Sequence, residues 1–255
     1  MADQPSRDLV GSLQKGLDVM AILAAHPAGM TLTEVAGEAG LTRAGARRFL
    51  LTLTASGYAR QDRRRFALTP RLLGLARQWL DGTSLWPFAE PHMRQVAATL
   101  KESCSAAVLS AQDVVYVARV PGERIMSVAL HVGARLPAYC TSMGRVLLSG
   151  LTEDELRRFL DHAEIRKLTE KTVTDRAKLF AVICQASVDG YALVDEELEI
   201  GLRSIAVPIR DRSGKVVAAV NVSTQSARFT VAAMKREILP LLGRAAGQIE
   251  AFFAV

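Results

Sequence analysis

Between Leu41 and Leu68 the chain carries seven arginines, Arg43, Arg47, Arg48, Arg60, Arg63, Arg64 and Arg65, set among leucines. A guanidinium is a permanent cation with a planar fork of N–H donors that matches phosphate or carboxylate oxygens in pairs. A single exposed arginine is more often just solvated. The charge distribution argues for more than that. Residues 1–80 hold 11 Lys+Arg against 6 Asp+Glu, whereas the other 175 hold 21 against 20, so the surplus of positive charge sits in the first third. That asymmetry is the expected footprint of a small nucleic-acid-binding module joined to a neutral domain.

Other reactive residue types give weaker signals. Cys140, His131 and Asp195 could in principle serve as nucleophile, base and orienter, but no spacing fixes them together and no GxSxG occurs. The expectation is that the chain is not an enzyme. Cys104, Cys140 and Cys184 are odd in number and lack a CxxC, which suits a reducing cytosol and gives neither a disulfide frame nor a zinc ribbon. His26, His92, His131 and His162 are scattered. The acidic run Asp195-Glu196-Glu197 with Glu199 could hold a hard cation, though a solvated loop is the simpler reading. No metal or cofactor is expected.

The segment Leu136 to Leu148 is more informative. After Pro137 the chain passes through Tyr139-Cys140-Thr141-Ser142-Met143-Gly144 into a helical stretch. A helix start offers unpaired N–H groups to a carboxylate. On this reading Gly144 keeps the backbone accessible and Met143 supplies an adaptable apolar contact. The bland alternative is that Ser142 merely caps the helix.

The elements that must position these residues follow from periodicity and caps. Leu13, Leu17, Met20 and Ala24 form one stripe, predicting a helix over Leu13–Ala25 that His26-Pro27-Ala28-Gly29 ends. Thr31 and Glu34 have capping-box spacing for a short helix to about Ala39, stopped by Gly40. Thr42 can cap a third helix to about Ser56. Its Ala46, Phe49, Leu50 and Leu53 make a core stripe, while Arg43, Ala44, Arg47 and Arg48 lie opposite. Two short strands, Tyr58–Arg60 and Arg65–Leu68, then flank a polar tip. Helix, short helix, Gly turn, helix and basic hairpin is the layout of a winged helix-turn-helix, with Thr42 and the arginine face toward the major groove and Arg60, Arg63, Arg64 and Arg65 toward phosphate or minor groove.

Thr69-Pro70 opens a linker helix with Leu72, Leu75, Ala76 and Trp79 on one face, and Pro87 and Pro91 open a second domain. There a helix over about Pro91–Glu102 precedes the β-rich runs SAAVLSA, VVYVARV and IMSVALHVG. Helices follow at about Ser142–Ser149, Glu153–Asp161 and Arg176–Asp189, and strands at Arg203–Ile209 and Val216–Ser223. A last helix, Val231–Phe253, breaks near Pro240. Hairpin-linked strands with grouped helices give an α+β fold with a mostly antiparallel sheet. The organisation read from the sequence is 10–70 for DNA binding, 71–86 for the linker helix and 87–255 for effector binding.

The stretches "SLQKGLDVMAILAAHPAGMTLTEVAGEAGLTRAGARRFLLTLTASGYA", "HVGARLPAYCTSMGRVLLSGL" and "GYALVDEELEIGLRSIAVPIRDRSGKVVAAVNVS" resemble the IclR-type transcriptional regulators, essentially end to end. "RLPAYCTSMGRVLL" and "DEELEIGLRSIAVP" are most similar to the subgroup that controls aromatic-acid and β-ketoadipate-pathway genes. The resemblance implies a GAF-like effector domain, with ligand contacts at Ser142, Met143, Val194, Ser204, Asn221 and Ser223 and an apolar side of Leu136 and Leu202. An acid that some relatives place at the Val194 position is absent, and Asp195 falls on the opposite side of an extended strand. A less acidic, more apolar pocket suits an aromatic or otherwise hydrophobic carboxylic acid; a small oxoacid or another non-aromatic metabolite is the alternative.

The expected partners are double-stranded operator DNA of pseudo-palindromic sequence, a small carboxylic-acid effector, a second copy in a homodimer or tetramer, and RNA polymerase where regulation is by recruitment. An RNA-binding or architectural role would use the basic module without a pocket. The N-terminus has no signal-peptide core, and no run of about 18 apolar residues occurs. The expectation is a cytoplasmic protein with no membrane partner.

Overall fold

A computed structural model describes residues 9–75, 85–122 and 130–254. The chain divides into two compact units, Met1–Gly82 and Thr83–Val255.

In the first unit α1 spans Gly11–Ala25, α2 Leu32–Glu38 and α3 Arg43–Ala55. The local signals act as expected. Thr31 and Glu34 form a reciprocal capping box, and Thr42 Oγ1 accepts from Gly45 N at 3.1 Å. Gly40 takes φ +62°, a left-handed value that a side chain disfavours, and turns the chain from α2 toward α3. A three-stranded antiparallel sheet, β1 (Met30–Thr31), β3 (Arg65–Leu68) and β2 (Ala59–Asp62) in that spatial order, closes the unit. The wing strand therefore runs two residues further into the tip than the sequence indicates.

The face of α1 differs from the expectation. Val19 and Leu23 are buried with Val35, Leu50 and Phe66 in this unit's core, whereas Leu13 is 62% and Leu17 56% exposed and Ala24 is also exposed. The helix is apolar on two sides, and among the described residues only one of them is covered within the unit.

Residues 71–75 are helical; the rest of the expected linker helix, including Ala76 and Trp79, lies outside the described residues. The second unit opens with α4, Leu85–Leu100. Pro87 and Pro91 thus lie inside a helix rather than before one. Pro87 sits in the first turn, where an amide has no partner to lose, while Pro91 gives up an interior bond. Burial of Trp86, Ala89, Met93, Val96 and Ala97 on one face offsets that loss.

A six-stranded sheet has the order β6 (Arg135–Pro137), β5 (Asp113–Val120), β4 (Ser103–Ser110), β9 (Val216–Gln225), β8 (Leu202–Arg210), β7 (Ala192–Asp195), every neighbouring pair antiparallel. In the expected strand "IMSVALHVG", residues 125–129 lie outside the described residues, and the strand that pairs with β5 comes later, at β6. Both faces of the sheet are covered. One packs on α4 and on the last helix, α8 (Val231–Ala233), a π-turn (Met234–Ile238) and α9 (Leu239–Glu250). The expected break therefore precedes Pro240, which lies in the first turn of α9. The other face carries α5 (Ser142–Leu148) with α6 (Glu153–His162) and α7 (Arg176–Asp189) behind it. Among the described residues no helix is long and apolar enough to cross a membrane.

Two contacts lock α5 in place. A Cβ on Gly144 would stand 2.0 Å from the Ala138 carbonyl oxygen, so glycine is required there by helix packing rather than by ligand access. Arg145, 5% exposed, donates to Glu197 Oε2 at 2.7 Å and to the Tyr139 carbonyl at 3.0 Å. Glu197 Oε2 also accepts from Val173 N at 2.9 Å. Removing one member of such a pair strands the other without water. Arg145→Met alone should destabilise the second unit by about 3–5 kcal/mol, whereas Arg145→Met with Glu197→Leu should recover much of that loss. Urea denaturation of both variants checks the order; equal losses would show that the pair is not what holds α5.

Candidate effector cavity and nucleic-acid face

In the first unit Thr42, Arg43, Ala44, Arg47 and Arg48 are all exposed, opposite the buried Ala46, Leu50 and Leu53. Arg43 and Arg47 are one turn apart, so their guanidiniums project from adjacent positions of one face. In the wing, Arg60, Arg63, Arg64 and Arg65 are exposed and, with Ala28, Thr31, Asp62 and Ala67, line an open groove. Arg63, at the tip, takes φ +53°, a value costly for a residue with a Cβ. Arg65 is partly committed elsewhere. Its Nη1 donates to the Gly29 carbonyl at 2.7 Å and lies 3.9 Å from Glu34, tying the wing to the turn before α2.

In the second unit a small cavity lies between the α5 side of the sheet and the loop after β7. Of the expected ligand residues, Leu136, Ser142, Val194, Leu202, Ser204, Asn221 and Ser223 line it. Met143 does not. It is 1% exposed and packs into the core beneath α5. The structure adds Tyr116, Leu130, Cys140, Thr141 and Leu198 to the lining. Tyr116 is marked in the sequence only by lying on the inward parity of the run VVYVARV.

Among the described residues no charged side chain lines the cavity. Two polar atoms in it, Ser142 Oγ and Asn221 Oδ1, are buried without a partner, although Asn221 Nδ2 donates to Ser223 Oγ at 3.1 Å. The helix cap is Thr141, whose Oγ1 accepts from Gly144 N at 3.1 Å, so Ser142 is not consumed by capping. An orphaned buried polar atom costs about 1–3 kcal/mol. Burial pushes the Tyr116 phenol up to about 12, with the Arg119 charge opposing the shift, so the hydroxyl stays neutral at physiological pH.

The acidic run is a clasp rather than a solvated loop. Asp195 accepts from Arg203 Nε at 2.7 Å, and Lys171 Nζ lies 2.6 Å from Glu196 Oε2. Ser226 Oγ donates to Glu196 at 2.5 Å, and Thr172 Oγ1 donates to the Glu197 carbonyl at 2.6 Å. The Arg203 hydrogen bond holds the Asp195 carboxyl below its usual range, as Lys171 does for Glu196. Among the described residues no cluster of three or more metal-ligating side chains occurs.

The nucleophile arrangement weighed above does not assemble. Cys140 Sγ faces the Pro137 carbonyl at 3.8 Å, His131 is exposed, and Asp195 is held by Arg203 and Lys171. Burial pushes the Cys140 and Cys104 thiols up to about 12. Both therefore stay protonated and unreactive through the physiological range. In the native chain at pH 8, Ellman's reagent should label the half-buried Cys184 first and leave Cys104 and Cys140 until the protein is unfolded. Rapid native labelling of Cys140, read by peptide mass, would contradict the burial argument.

The chain matches two family models, the IclR helix-turn-helix domain over residues 12–63 and the bacterial transcriptional regulator IclR C-terminal domain over residues 77–251. It is similar to the Pca regulon regulatory protein of Pseudomonas putida, 42% identical over 236 residues that span 92% of this chain and 81% of that protein. A solved structure from Rhodococcus sp. RHA1, described as a transcriptional regulator, has 46% identity and a TM-score of 0.84, covering 96% of this chain and 99% of the other. An IclR homolog from Microbacterium hydrocarbonoxydans, complexed with 4-hydroxybenzoate, has 26% identity and a TM-score of 0.81, covering 94% of this chain and 98% of the other. With both units matched, the chain belongs to the IclR family of bacterial transcriptional regulators, DNA-binding proteins with a helix-turn-helix and a C-terminal effector domain.

Proposed function

We propose that this regulator controls aromatic-acid catabolism genes from the cytoplasm and takes an aromatic carboxylic acid as effector. The carrying observation is the cavity itself, apolar on most sides and, among the described residues, without a charged lining side chain and with two unpartnered polar atoms, Ser142 Oγ and Asn221 Oδ1. A flat apolar ring with polar substituents fits such a lining, because it covers the leucine and valine walls while its substituents meet the orphaned atoms. The relatives point the same way: one is a Pca regulon regulatory protein and another was solved with 4-hydroxybenzoate. A small oxoacid would leave the Leu136, Leu198 and Leu202 walls uncovered.

Residues 10–70 are assigned to operator binding, 71–86 to the linker and 87–255 to the effector domain. Arg43, Ala44 and Arg47 are placed at base edges, with Thr42 and Arg48 at the flanking phosphates. Arg60, Arg63 and Arg64 are placed at the backbone or minor groove, with Arg65 bracing the wing that presents them. The left-handed arginine at the wing tip supports this. A glycine there would be cheaper for the backbone, so the strained position is consistent with a side chain kept for contact. A homodimer is supported by Leu13, Leu17 and Met20 of α1, which with Phe49 and Leu53 line an apolar cleft left open by the described residues of the unit. Two-fold pairing of such units reads a pseudo-palindrome.

Arg47→Ala should cost about 1–3 kcal/mol at one base position and little at others. Arg64→Ala should instead weaken all sequences alike and lower the salt-dependence slope by about one. Fluorescence anisotropy on operator and scrambled duplexes separates the two. Titration calorimetry tests the effector: measurable binding of 4-hydroxybenzoate without binding of pyruvate or glyoxylate supports an aromatic site, and the reverse refutes it.

A further inference from the structure

Among the described residues the cavity lining is uncharged, yet a carboxylate effector brings a full negative charge that must be met in a low-dielectric site. The sheet register identifies a cation that could meet it. On β9, Asn221 and Ser223 face the cavity, and directly opposite them on β4 stand Ser105 and Ser103. Opposite residues of an antiparallel pair share a face, so Ser105 also faces the cavity side. The next strand, β5, carries an irregularity. Ala107 pairs with Tyr116 and Ala106 with Ala118, which leaves Val117 as an extra residue, and beyond it Ser105 pairs with Arg119. Strict alternation from Tyr116 would send Arg119 to the opposite face. The bulge reverses that and places Arg119 on the same face as Tyr116, Ser105 and Asn221.

Arg119, Ser105 and Asn221 thus form one row across three strands, with the small serine between the cation and the orphaned amide oxygen. Neighbouring strands lie about 4.8 Å apart, so the ends of the row are about 10 Å apart at the backbone, a span that an arginine side chain and a small aromatic acid bridge together. Arg119 is half-buried, whereas Ser105 and Asn221 are at most 4% exposed. Its charge also acts on the Tyr116 phenol. Arg119 stands one register step beyond the residues that line the cavity, and among the described residues it has no carboxylate partner.

We propose that Arg119 is the anion-binding residue of the effector site, pairing its guanidinium with the effector carboxylate while Asn221 Oδ1 accepts from a donor substituent at the other end of the ligand. The assignment rests on the effector reading above, but it concerns the charge of the ligand rather than its ring. A planar guanidinium pairs with a carboxylate through two parallel hydrogen bonds. The bulge at Val117 is the device that aims it.

The test compares acids with neutral amides of the same shape, using titration calorimetry on the full chain with 4-hydroxybenzoate, 4-hydroxybenzamide and pyruvate. The wild type should bind 4-hydroxybenzoate more tightly than the amide. Arg119→Gln should weaken the acid about 10- to 100-fold and leave the amide within about threefold, so that the preference for charge disappears. Arg119→Lys should keep part of that preference. Unchanged amide binding shows that the variant is folded. If Arg119→Gln retains the wild-type preference for the acid, the proposal is overturned while the aromatic reading stands. If pyruvate binds and both aromatics fail, the aromatic reading falls, and the effect of Arg119→Gln on pyruvate still decides the role of the cation. Binding of none of the three probes overturns both.

Discussion

In the effector unit one buried contact, the Arg145–Glu197 ion pair, joins two walls of the cavity. Arg145 belongs to the helix over the sheet, and Glu197 to the clasp that runs from Asp195 to Glu199. These two segments are separate walls of the cavity, one carrying Ser142 and the other Leu198. Their only charge-to-charge connection among the described residues is this bond, made with both side chains under a tenth exposed. Around it the Tyr139 carbonyl accepts from Arg145 Nε and Val173 N donates to Glu197 Oε2, further hydrogen bonds of the kind that let an ion pair be tolerated without water. The cavity beside it can then stay apolar and uncharged, because the charges that shape its walls are satisfied by each other.

The same economy explains the division of labour between the two units. The arginines proposed to face DNA lie on a small three-helix unit whose core includes Val19, Leu23, Leu50 and Phe66, and Arg43, Arg47, Arg48, Arg60, Arg63, Arg64 and Arg65 are all exposed outside that core. On the proposed reading such a surface attracts any duplex electrostatically, and selectivity comes from the few side chains at the start of α3. The effector cavity, by contrast, is deep in a sheet covered on both faces. A ligand there influences DNA only if it favours one arrangement of the assembled chains over another.

Much of this was legible in the sequence, for identifiable reasons. The capping threonines 31 and 42, Gly40 and the arginine face of α3 are local signals, and each holds in the structure within a residue or two. The pocket residues carried over from the family resemblance line the cavity except Met143, which a helical turn rotates into the core. What was not legible depends on tertiary context. The outward stripe of Leu13 and Leu17 looks like a core face until Val19 and Leu23 are seen to occupy the core. Glu197 reads as one acid in a polar loop until its partner, 52 residues away, is placed beside it. Arg119 is hidden more thoroughly. Period-two alternation puts it on the wrong face, and only the pairing register reveals the extra residue that turns it round.

The coupling of the two sites is the central claim, and one measurement addresses it directly. A duplex selected from random sequence by the full-length chain would be titrated by anisotropy with and without saturating 4-hydroxybenzoate. Linked sites require the acid to change the apparent Kd, by about 5- to 150-fold if the coupling is of ordinary size, and require the duplex to change the affinity for the acid by the same factor. An acid that binds the protein yet leaves the affinity for the duplex unaltered would show that the cavity does not govern DNA binding.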